Sequence, residues 1–596
     1  MCHNATTPAG RQQETAQRSW RPACTSAHVI RPALLLCVAF SVHAQIQDLA
    51  TTADGGQVYF STPYRLKGSA DPGYPKIYRY AEHGFELFRE FQLIPEPSPD
   101  TNFFMAERPS VSADGQTVAF TAARNCVGGS HCIGFIYFQS WIARNGAADA
   151  SISFGRIALS PNARFALLSD RGGTVGPSPI ALYDLRTGAA TVLANFRPIG
   201  DGRYAVANDG AVLVLGSSAG PVLWRSGAFT PVQFEAPPTC TRLSANDSLI
   251  VYESDPSGPG TITLRAHDIS TRREITLVSA PTPKDYQPAP TPGAYLHPTL
   301  TYDGRMVAYT LGTDLFLQRT DGAAPSKLAS APEGFQDAVI SGFGNVVYAS
   351  TVTGRLLKIE IGSGSLVELS AAPPHIEVTP SVFVPGARVD VAMPTGSGDA
   401  AIVTEGGLAP VIARSESTAT FEIPWETPPN SVAHVFYPGN PSAFEEAHDT
   451  QVVQAAPRFY LAPSPDDPQA RYALAAHEDF SGLITIASPA KGGEIVHFYF
   501  TALGPVSPLI ATGAVTPPGA LYQATTPLSC SFHEPRPGGA SAEADILFAG
   551  LAPGMIGVDQ VDIAIPRGLS GAVVVTCQAQ LPAGTISDFA QLPITP

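Results

Sequence analysis

The sequence predicts an all-β protein, a seven-bladed β-propeller followed by two tandem Ig-like β-sandwich domains. The first observation is the composition, which is rich in turn formers, with 54 Gly and 56 Pro, and has only 15% charged residues. The second is a turn motif that recurs along the first two thirds of the chain, and the third is a different repeat in the last third. A chain of 596 residues is too long for one core, so several domains are expected.

The predicted propeller rests on the motif of residues 112–120, Ser-Ala-Asp-Gly-Gln-Thr-Val-Ala-Phe. A small or acidic turn residue is followed by an apolar residue four positions later and an aromatic or apolar residue six positions later. The turn residues of the seven copies are Asp54, Asp114, Asn162, Asp209, Asn246, Asp303 and Gly342. Consecutive copies lie about 48 residues apart on average, which is the length of a four-stranded blade. Alternating runs and glycine-containing turns follow each copy, as in antiparallel hairpins.

Three of these turns carry a resemblance to a known family. Residues 159–162 (Leu-Ser-Pro-Asn), 113–115 (Ala-Asp-Gly) and 302–304 (Tyr-Asp-Gly) resemble the Ser-Pro-Asp-Gly turns of TolB-like (WD40-like) propellers. The resemblance implies that residues 45–372 form a seven-bladed TolB-like propeller. Such propellers include protein-binding modules, peptidase propellers and a few sugar lyases, so the resemblance implies a fold and no single activity.

The last third of the chain contains the second repeat. Residues 407–410 and 550–553 both read Gly-Leu-Ala-Pro, and each copy leads to an apolar strand that ends in Pro, at 421–424 and 562–566. We therefore expect two β-sandwich domains, 376–456 and 457–596. Residues 376–592 also resemble the Solibacter-type uncharacterised C-terminal domain of exported acidobacterial proteins. That family has no assigned activity, so the resemblance implies an adhesive, spacer or surface-presentation module.

The N-terminus predicts export. Four Arg residues precede the apolar run 33–40, and small residues at 42–44 offer a cleavage site near Ala44, so residues 1–44 are interpreted as a signal peptide. A transmembrane anchor is the weaker alternative, because the run has about 10 residues where a bilayer needs about 20. Leu36 before Cys37 opposes lipidation. The expected location is secreted, periplasmic or at the cell surface, without a transmembrane anchor.

Charge and cysteines limit the partners. The formal net charge of -15 argues against general binding to nucleic acid or anionic membranes. The cysteines beyond the leader are Cys126, Cys132, Cys240, Cys530 and Cys577. We predict disulfides Cys126–Cys132 and Cys530–Cys577, with Cys240 free. Zinc at Cys126, His131 and Cys132 is the alternative, but it lacks a fourth ligand nearby. No metal or cofactor is predicted.

The predicted ligand site lies at one mouth of the central channel. The residues six positions before the seven turns are Asp48, Arg108, Arg156, Arg203, Cys240, His297 and Gln336. The recurrence of Arg predicts a ring that holds an anionic ligand, with Arg108, Arg156, Arg203 and His297 as binding residues. The alternatives are that these Arg pair with carboxylates of neighbouring blades, and that His297 binds a metal ion, which would need several histidines.

No catalytic residue is predicted. Residues 216–220 match the Gly-x-Ser-x-Gly pattern but lie between two strands, where a nucleophile elbow needs a strand and a helix. His477-Glu478 and His533-Glu534 lack a second His at helical spacing. The favoured hypothesis is an exported noncatalytic binding or scaffold protein for an unknown protein, peptide or polysaccharide. The alternatives are a propeller-based polysaccharide lyase or hydrolase and a periplasmic partner of an envelope complex.

Overall fold

The computed structural model describes residues 46–69, 75–89, 101–126, 136–144, 150–169, 178–196, 206–217, 220–254, 260–281, 296–446, 448–462, 471–582 and 584–596. Regular structure in these ranges consists of β-strands, so the all-β class is confirmed. Within the same ranges, nothing resembles a helix long and apolar enough to cross a membrane.

Within the described residues, seven antiparallel sheets follow one another between residues 47 and 370, and the strands of each follow chain order, with strand Arg65–Leu66 outside sheet 1. We call them sheets 1 to 7. Sheet 1 contains Gln47–Thr51, Val58–Thr62, Lys76–Ala81 and Gly84–Arg89; sheet 2 contains Thr101–Val111, Thr117–Cys126, Ile136–Arg144 and Ala150–Phe154; sheet 3 contains Arg156–Leu159, Phe165–Ser169, Ser178–Asp184 and Ala189–Phe196. Sheet 4 contains Val212–Ser217, Gly220–Arg225 and Ala228–Pro231, and a bridge joins Val206 to Val212.

The remaining three of these sheets are complete four-stranded units. Sheet 5 contains Pro238–Leu243, Leu249–Ser254, Thr261–Asp268 and Glu274–Pro281; sheet 6 contains Thr299–Leu300, Met306–Leu311, Asp314–Arg319 and Ser326–Ser330; sheet 7 contains Phe335–Ile340, Val346–Thr351, Leu356–Glu360 and Ser365–Ser370.

The repeated motif is a hydrogen-bonded turn between the first two strands of a sheet. In sheet 2, Ser112 Oγ donates to Asp114 Oδ1 at 2.6 Å and accepts the N–H of Thr117 at 3.0 Å. Asp114 Oδ1 also accepts the N–H of Gln116 at 3.0 Å. Ser160 and Asn162 make the same contacts in sheet 3. A hydroxyl followed two residues later by Asp or Asn therefore satisfies the turn locally, which explains why the motif repeats.

Hydrogen bonds also join each turn to the next. The donor and acceptor pairs are Ala53 N to Ala113 O, Ala113 N to Pro161 O, Asn162 N to Asn208 Oδ1, Asn208 N to Ala245 O, Ala245 N to Tyr302 O, Tyr302 N to Gly342 O and Phe343 N to Ala53 O. The series passes through the turns in chain order and returns from sheet 7 to sheet 1. Each turn is thus hydrogen-bonded to the turn of the next sheet, and the turn of sheet 7 to that of sheet 1.

In sheet 7 the residue at the Asp position of the turn is Phe343, one residue later than predicted, because Gly344 has the positive φ that Gly55, Gly115 and Gly304 have in the other turns. The residue before Phe343, Gly342, is glycine for a steric reason. A Cβ at this position would lie 2.3 Å from the ring of Tyr302. No side chain fits between this backbone and the tyrosine, so glycine is required where sheets 6 and 7 meet.

Sheets 1 and 7 pack against each other, and we call this contact the seam. Among the described residues, no strand belongs to both sheets. The N–H of Leu49 donates to Asp337 Oδ2 at 2.8 Å, and the Tyr348 hydroxyl donates to the carbonyl of Gly55 at 2.7 Å. Apolar residues of both sheets share one core cluster, to which Phe444 from the C-terminal third also belongs.

Strand Phe444–Glu445 pairs with strand Arg65–Leu66, which lies in the connection between the second and third strands of sheet 1. We call this contact the clasp. The Phe444 ring is fully buried, with its centroid 5.2 Å from that of Tyr78. Buried Arg65 pairs with Glu445 at 3.0 Å and Asp449 at 3.3 Å, and it also contacts His434. The clasp therefore fixes the C-terminal third to the seam side of sheet 1.

Residues 376–452 form two four-stranded sheets that enclose one hydrophobic core. The strands of the first sheet, in spatial order, are Val378–Thr379, Arg388–Ala392, Thr418–Glu422 and Val411–Arg414; those of the second are Gly407–Leu408, Ala401–Thr404, Val432–Phe436 and His448–Gln451. Val389 and Phe421 from one sheet and Ile402 and Val435 from the other are all buried in this core.

Residues 458–595 form two larger sheets around a separate core. One sheet contains Arg458–Phe459, Ile495–Thr501, Asp559–Ala564, Asp545–Leu551, Gln523–Ala524 and Val506–Ser507, with Ala475–Ala476 at its side; the other contains Leu461–Ala462, Tyr472–Ala473, Gly584–Thr595, Gly571–Leu581, Leu528–His533 and Ser541–Glu543, with Ala490–Lys491 at its side. Each facing-sheet unit thus buries its own apolar face, as a sandwich does.

The cysteines follow the prediction where the structure describes them. Cys530 and Cys577 lie opposite each other on neighbouring strands and form a buried disulfide. Cys240 is a buried thiol that is not part of a disulfide among the described residues, and its Sγ accepts a hydrogen bond from Arg242 Nη1 at 3.2 Å. The predicted Cys126–Cys132 disulfide, and with it the zinc alternative at His131, lies outside the residues whose side chains are described.

We expect Asp559 to make the free energy of unfolding depend on pH. Burial raises the pKa of its carboxyl to about 7, although the N–H of Leu503, which donates to Oδ2 at 3.0 Å, lowers it. The folded protein therefore holds this proton more tightly than the unfolded chain, in which Asp titrates near pH ~4. We expect the free energy of unfolding to fall as pH rises from about 4 to about 7, by at most about 1.4 kcal/mol per pH unit.

Urea unfolding across this pH range, on the wild type and on Asp559→Asn, checks the expectation. The asparagine cannot titrate, so the variant should lack this part of the slope. An unchanged slope in the variant would assign the pH dependence to other groups.

Candidate functional site

A cavity of about 240 Å³ lies at one end of the first strands of the propeller sheets. Small residues four positions before the turn residue line it in four sheets: Ala50, Ser110, Ala158 and Thr299. Their short side chains leave space where several strands converge.

Two of the four predicted binding residues line this cavity. Arg108 and Arg156 both do so, together with Asp48 at the equivalent position of sheet 1. His297 is half-buried and is not among the residues that line it. Arg203 lies outside the described residues.

Three of the ring positions share an unusual backbone conformation. Asp48, Arg108 and His297 have φ angles of 55°, 53° and 43°, a left-handed region that residues other than glycine rarely adopt. In sheets 1 and 2 the strand register also shifts there, between Gln47 and Ala50 and between Glu107 and Ser110. A bulge of this kind redirects side chains, and such strain clusters at functional sites.

The charge of the mouth is mixed. Arg108 Nε lies 3.8 Å from Glu107 Oε1, and Ser61 Oγ donates to Asp48 Oδ2 at 2.9 Å. Burial, followed by the nearby charge of Asp48, raises the pKa of the Glu107 carboxyl, while Arg108 and Arg156 lower it. The arginines therefore lie near carboxylates, Arg108 beside Glu107 of its own strand, and the mouth is not a purely cationic ring.

Two fully buried carboxylates fix the backbone of the ring positions. Asp337 accepts the N–H of Leu49, next to Asp48, and Glu253 accepts the N–H of Leu296, next to His297, both at 2.8 Å. Each bond crosses from one sheet to its neighbour. The sequence patterns did not predict a role for Asp337, Glu253 or Glu107. The signal that could have identified them is an acidic residue within an otherwise apolar strand.

A second polar cluster lies on the C-terminal sandwich. His477 Nδ1 is 2.6 Å from Glu494 Oε1, and His477 Nε2 is 3.0 Å from Ser488 Oγ, which is the connectivity of a serine hydrolase triad. Ser488 donates its own N–H to the carbonyl of Thr485, and the next residue is Pro489, which has no N–H. The N–H of Ser488 is therefore already used and Pro489 has none to offer, so neither residue can contribute to an oxyanion hole. We assign no catalytic role to this cluster.

Comparisons with known proteins give similarity of fold only. No family model and no curated protein matches the chain. The chain is 12% identical to the β-propeller domain of the Trilobed protease from Pyrococcus furiosus, covering 56% of this chain and 99% of that one with a TM-score of 0.36. It is also 12% identical to oligogalacturonate lyase from Vibrio parahaemolyticus, covering 52% and 87%, with a TM-score of 0.36.

A third similar structure is prolyl oligopeptidase B from Galerina marginata, with 12% identity and a TM-score of 0.38. The match covers 59% of this chain and 55% of the oligopeptidase. Since no family model matches, the resemblance of the C-terminal third to the Solibacter-type domain stays a prediction.

Proposed function

We propose that the chain is an exported noncatalytic binding or scaffold protein whose propeller recognises its ligand at the channel mouth. The observation that carries this proposal is the cavity at which Asp48, Arg108 and Arg156 converge. Arg side chains present planar forks that pair with carboxylate groups. The ligand is therefore a protein, peptide or polysaccharide that inserts an anionic group between Arg108 and Arg156.

In this proposal, sheets 1 to 7 are the blades of one closed TolB-like propeller (45–372), and two Ig-like sandwiches follow (376–456 and 457–596). The hydrogen bonds that lead from turn to turn, and from Phe343 back to Ala53, support closure. The clasp supports a scaffold role, because a buried ion pair and a buried aromatic ring hold the first sandwich against the propeller. A rigid C-terminal unit would present the mouth at a fixed orientation.

Export is part of the proposal. It is supported by the predicted signal peptide, residues 1–44, and by the buried Cys530–Cys577 disulfide, since structural disulfides form and persist in oxidising compartments. The proposed location is secreted, periplasmic or at the cell surface.

A screen of the purified protein against polysaccharides, peptides and anionic metabolites tests the proposal. We expect ligands with a carboxylate to bind, and Arg108→Ala with Arg156→Ala to weaken binding by about 10-fold or more, because each charge-assisted hydrogen bond contributes about 1.5–3 kcal/mol. Arg186→Ala, an exposed arginine away from the cavity, is the matched control and should bind as the wild type does. Equal binding by the double variant, with its fold intact, would refute the mouth as the site.

A second candidate function, a propeller-based polysaccharide lyase or hydrolase, is favoured by Glu107. Glu107 is half-buried next to Arg108, which lines the cavity, and a carboxyl with a raised pKa at such a place is a typical general acid or base. The same screen distinguishes the two functions, since turnover of a bound polysaccharide that Glu107→Gln abolishes would establish the enzyme. Binding without turnover supports the noncatalytic protein.

A further inference from the structure

A larger cavity, of about 560 Å³, lies between the two C-terminal sandwiches, far along the chain from the channel mouth. Arg388 and Asp390 from the first sandwich and Arg458, Tyr460 and Arg471 from the second line it. Three arginines and two aspartates, Asp390 and Asp588, line the cleft, so its lining has a net positive charge on a chain whose formal net charge is -15.

Asp588 neutralises only part of this charge. Its Oδ1 accepts a hydrogen bond from an Arg471 terminal nitrogen at 2.9 Å, and Arg458 lies 3.7 Å away. Its Oδ2 accepts the N–H of Phe459 at 3.0 Å. Arg471 also donates to the carbonyl of Phe589, so this arginine is held in place by the protein itself.

Of the three arginines, Arg388 is the one with a buried guanidinium nitrogen that makes no hydrogen bond. Its backbone N–H donates to Thr501 Oγ1 at 3.1 Å, which fixes the residue across the cleft. Within the described part of the chain, its guanidinium has no ion pair and its buried Nε has no hydrogen-bond partner. The buried hydroxyl of Tyr460 lies beside the Arg388 guanidinium and the Thr501 hydroxyl but makes no hydrogen bond of normal geometry to them. Buried polar groups are normally satisfied, so the open Nε of Arg388 next to this hydroxyl indicates a missing polar partner in the cavity.

The rest of the lining indicates what that partner is. Thr379, Ser381 and Thr420 bring hydroxyl groups, and exposed Asp390 brings a carboxylate that accepts from Thr420 Oγ1 at 2.6 Å. Pro380 and Leu461 add apolar surface. A volume of this size suits a ligand of one or two sugar rings, whose hydroxyls would match the threonines and Asp390.

We infer that the cleft between the sandwiches binds a polyhydroxylated carboxylate of the uronic-acid type, with the ligand carboxylate on Arg388 and Arg458. In this arrangement the Arg fork sets the specificity for a carboxylate, and Tyr460 donates its hydroxyl to the ligand. The site is independent of the channel mouth, so one can be present without the other.

Calorimetric titration of the full-length protein at low salt tests the inference. The probes are glucuronate and galacturonate with their trimers, which separate a free sugar acid from a polymer end, and neutral trimers and acetate as controls. We expect a uronate probe to bind with a Kd of about 1 mM or tighter and the controls to bind much more weakly. Absence of uronate binding at this concentration overturns the inference.

Three variants locate the site. We expect Arg388→Ala to weaken uronate binding by about 10-fold or more, and Arg388→Lys and Tyr460→Phe by about 3-fold or more. The exposed Arg414→Ala of the same sandwich is the matched control, and Arg108→Ala with Arg156→Ala should leave uronate binding at the cleft unchanged. If Arg388→Ala fails to fold, the two conservative variants carry the test. Wild-type binding by both of them overturns the assignment.

Discussion

Phe444→Ala should destabilise the protein by about 3–5 kcal/mol, the usual cost of emptying a fully buried aromatic site. The ring is 0% exposed and packs against Phe60, Tyr78 and Phe85, with centroid separations of 5.8, 5.2 and 4.9 Å. Its core cluster includes residues of sheets 1 and 7, so the cavity would open at the seam. Urea unfolding gives the change in free energy, and hydrogen exchange should show lost protection in these two sheets.

The matched control is Phe229→Ala, whose ring is exposed on sheet 4 and whose loss should cost less than about 0.5 kcal/mol. A loss below about 1 kcal/mol in Phe444→Ala would mean that the clasp contributes little to closure of the seam.

Replacing both Cys530 and Cys577 by alanine should cost about 4 kcal/mol. The disulfide closes a segment with a sequence separation of 47, and the loop-closure entropy for that length gives this magnitude. The bond also joins directly opposed strands inside the core of the second sandwich. Urea unfolding with and without reductant gives the measurement.

Reductant should destabilise the wild type and leave the double variant unchanged. Cys240→Ala, which removes a buried thiol outside the disulfide, is the control and should lose no more than about 1 kcal/mol while keeping its response to reductant. A wild type that is insensitive to reductant after complete reduction of the bond would contradict the predicted role.

The sequence predicted the features that depend on contacts within a few residues. The turn bonds of Ser112, Asp114 and Thr117 lie within a six-residue segment, so the local sequence is enough to specify them. The clasp and the seam depend on contacts between distant residues. Arg65 and Glu445 are 380 positions apart, and Leu49 and Asp337 are 288 apart, so no local pattern reveals either pair.

The sequence predicted some of the residues at the channel mouth and missed others. The alignment on the turns brought Arg108 and Arg156 to one cavity, as the structure does. A regular strand would direct Glu107 and Arg108 to opposite faces. The register shift between Glu107 and Ser110 breaks this alternation, and the two side chains approach within 3.8 Å. The alternation of residues along a strand therefore did not predict that carboxylates lie beside the arginines of the mouth.

The most direct test of the central claim, that the propeller binds its ligand at the channel mouth, is hydrogen exchange of the wild type with and without a ligand found in the screen. We expect slower exchange in residues 48–51, 108–111 and 156–159, which line the cavity or flank it. The Arg108→Ala, Arg156→Ala protein should lose this protection under the same conditions. Protection confined to the outer strands or to the cleft between the sandwiches, with the mouth unchanged, would contradict the claim.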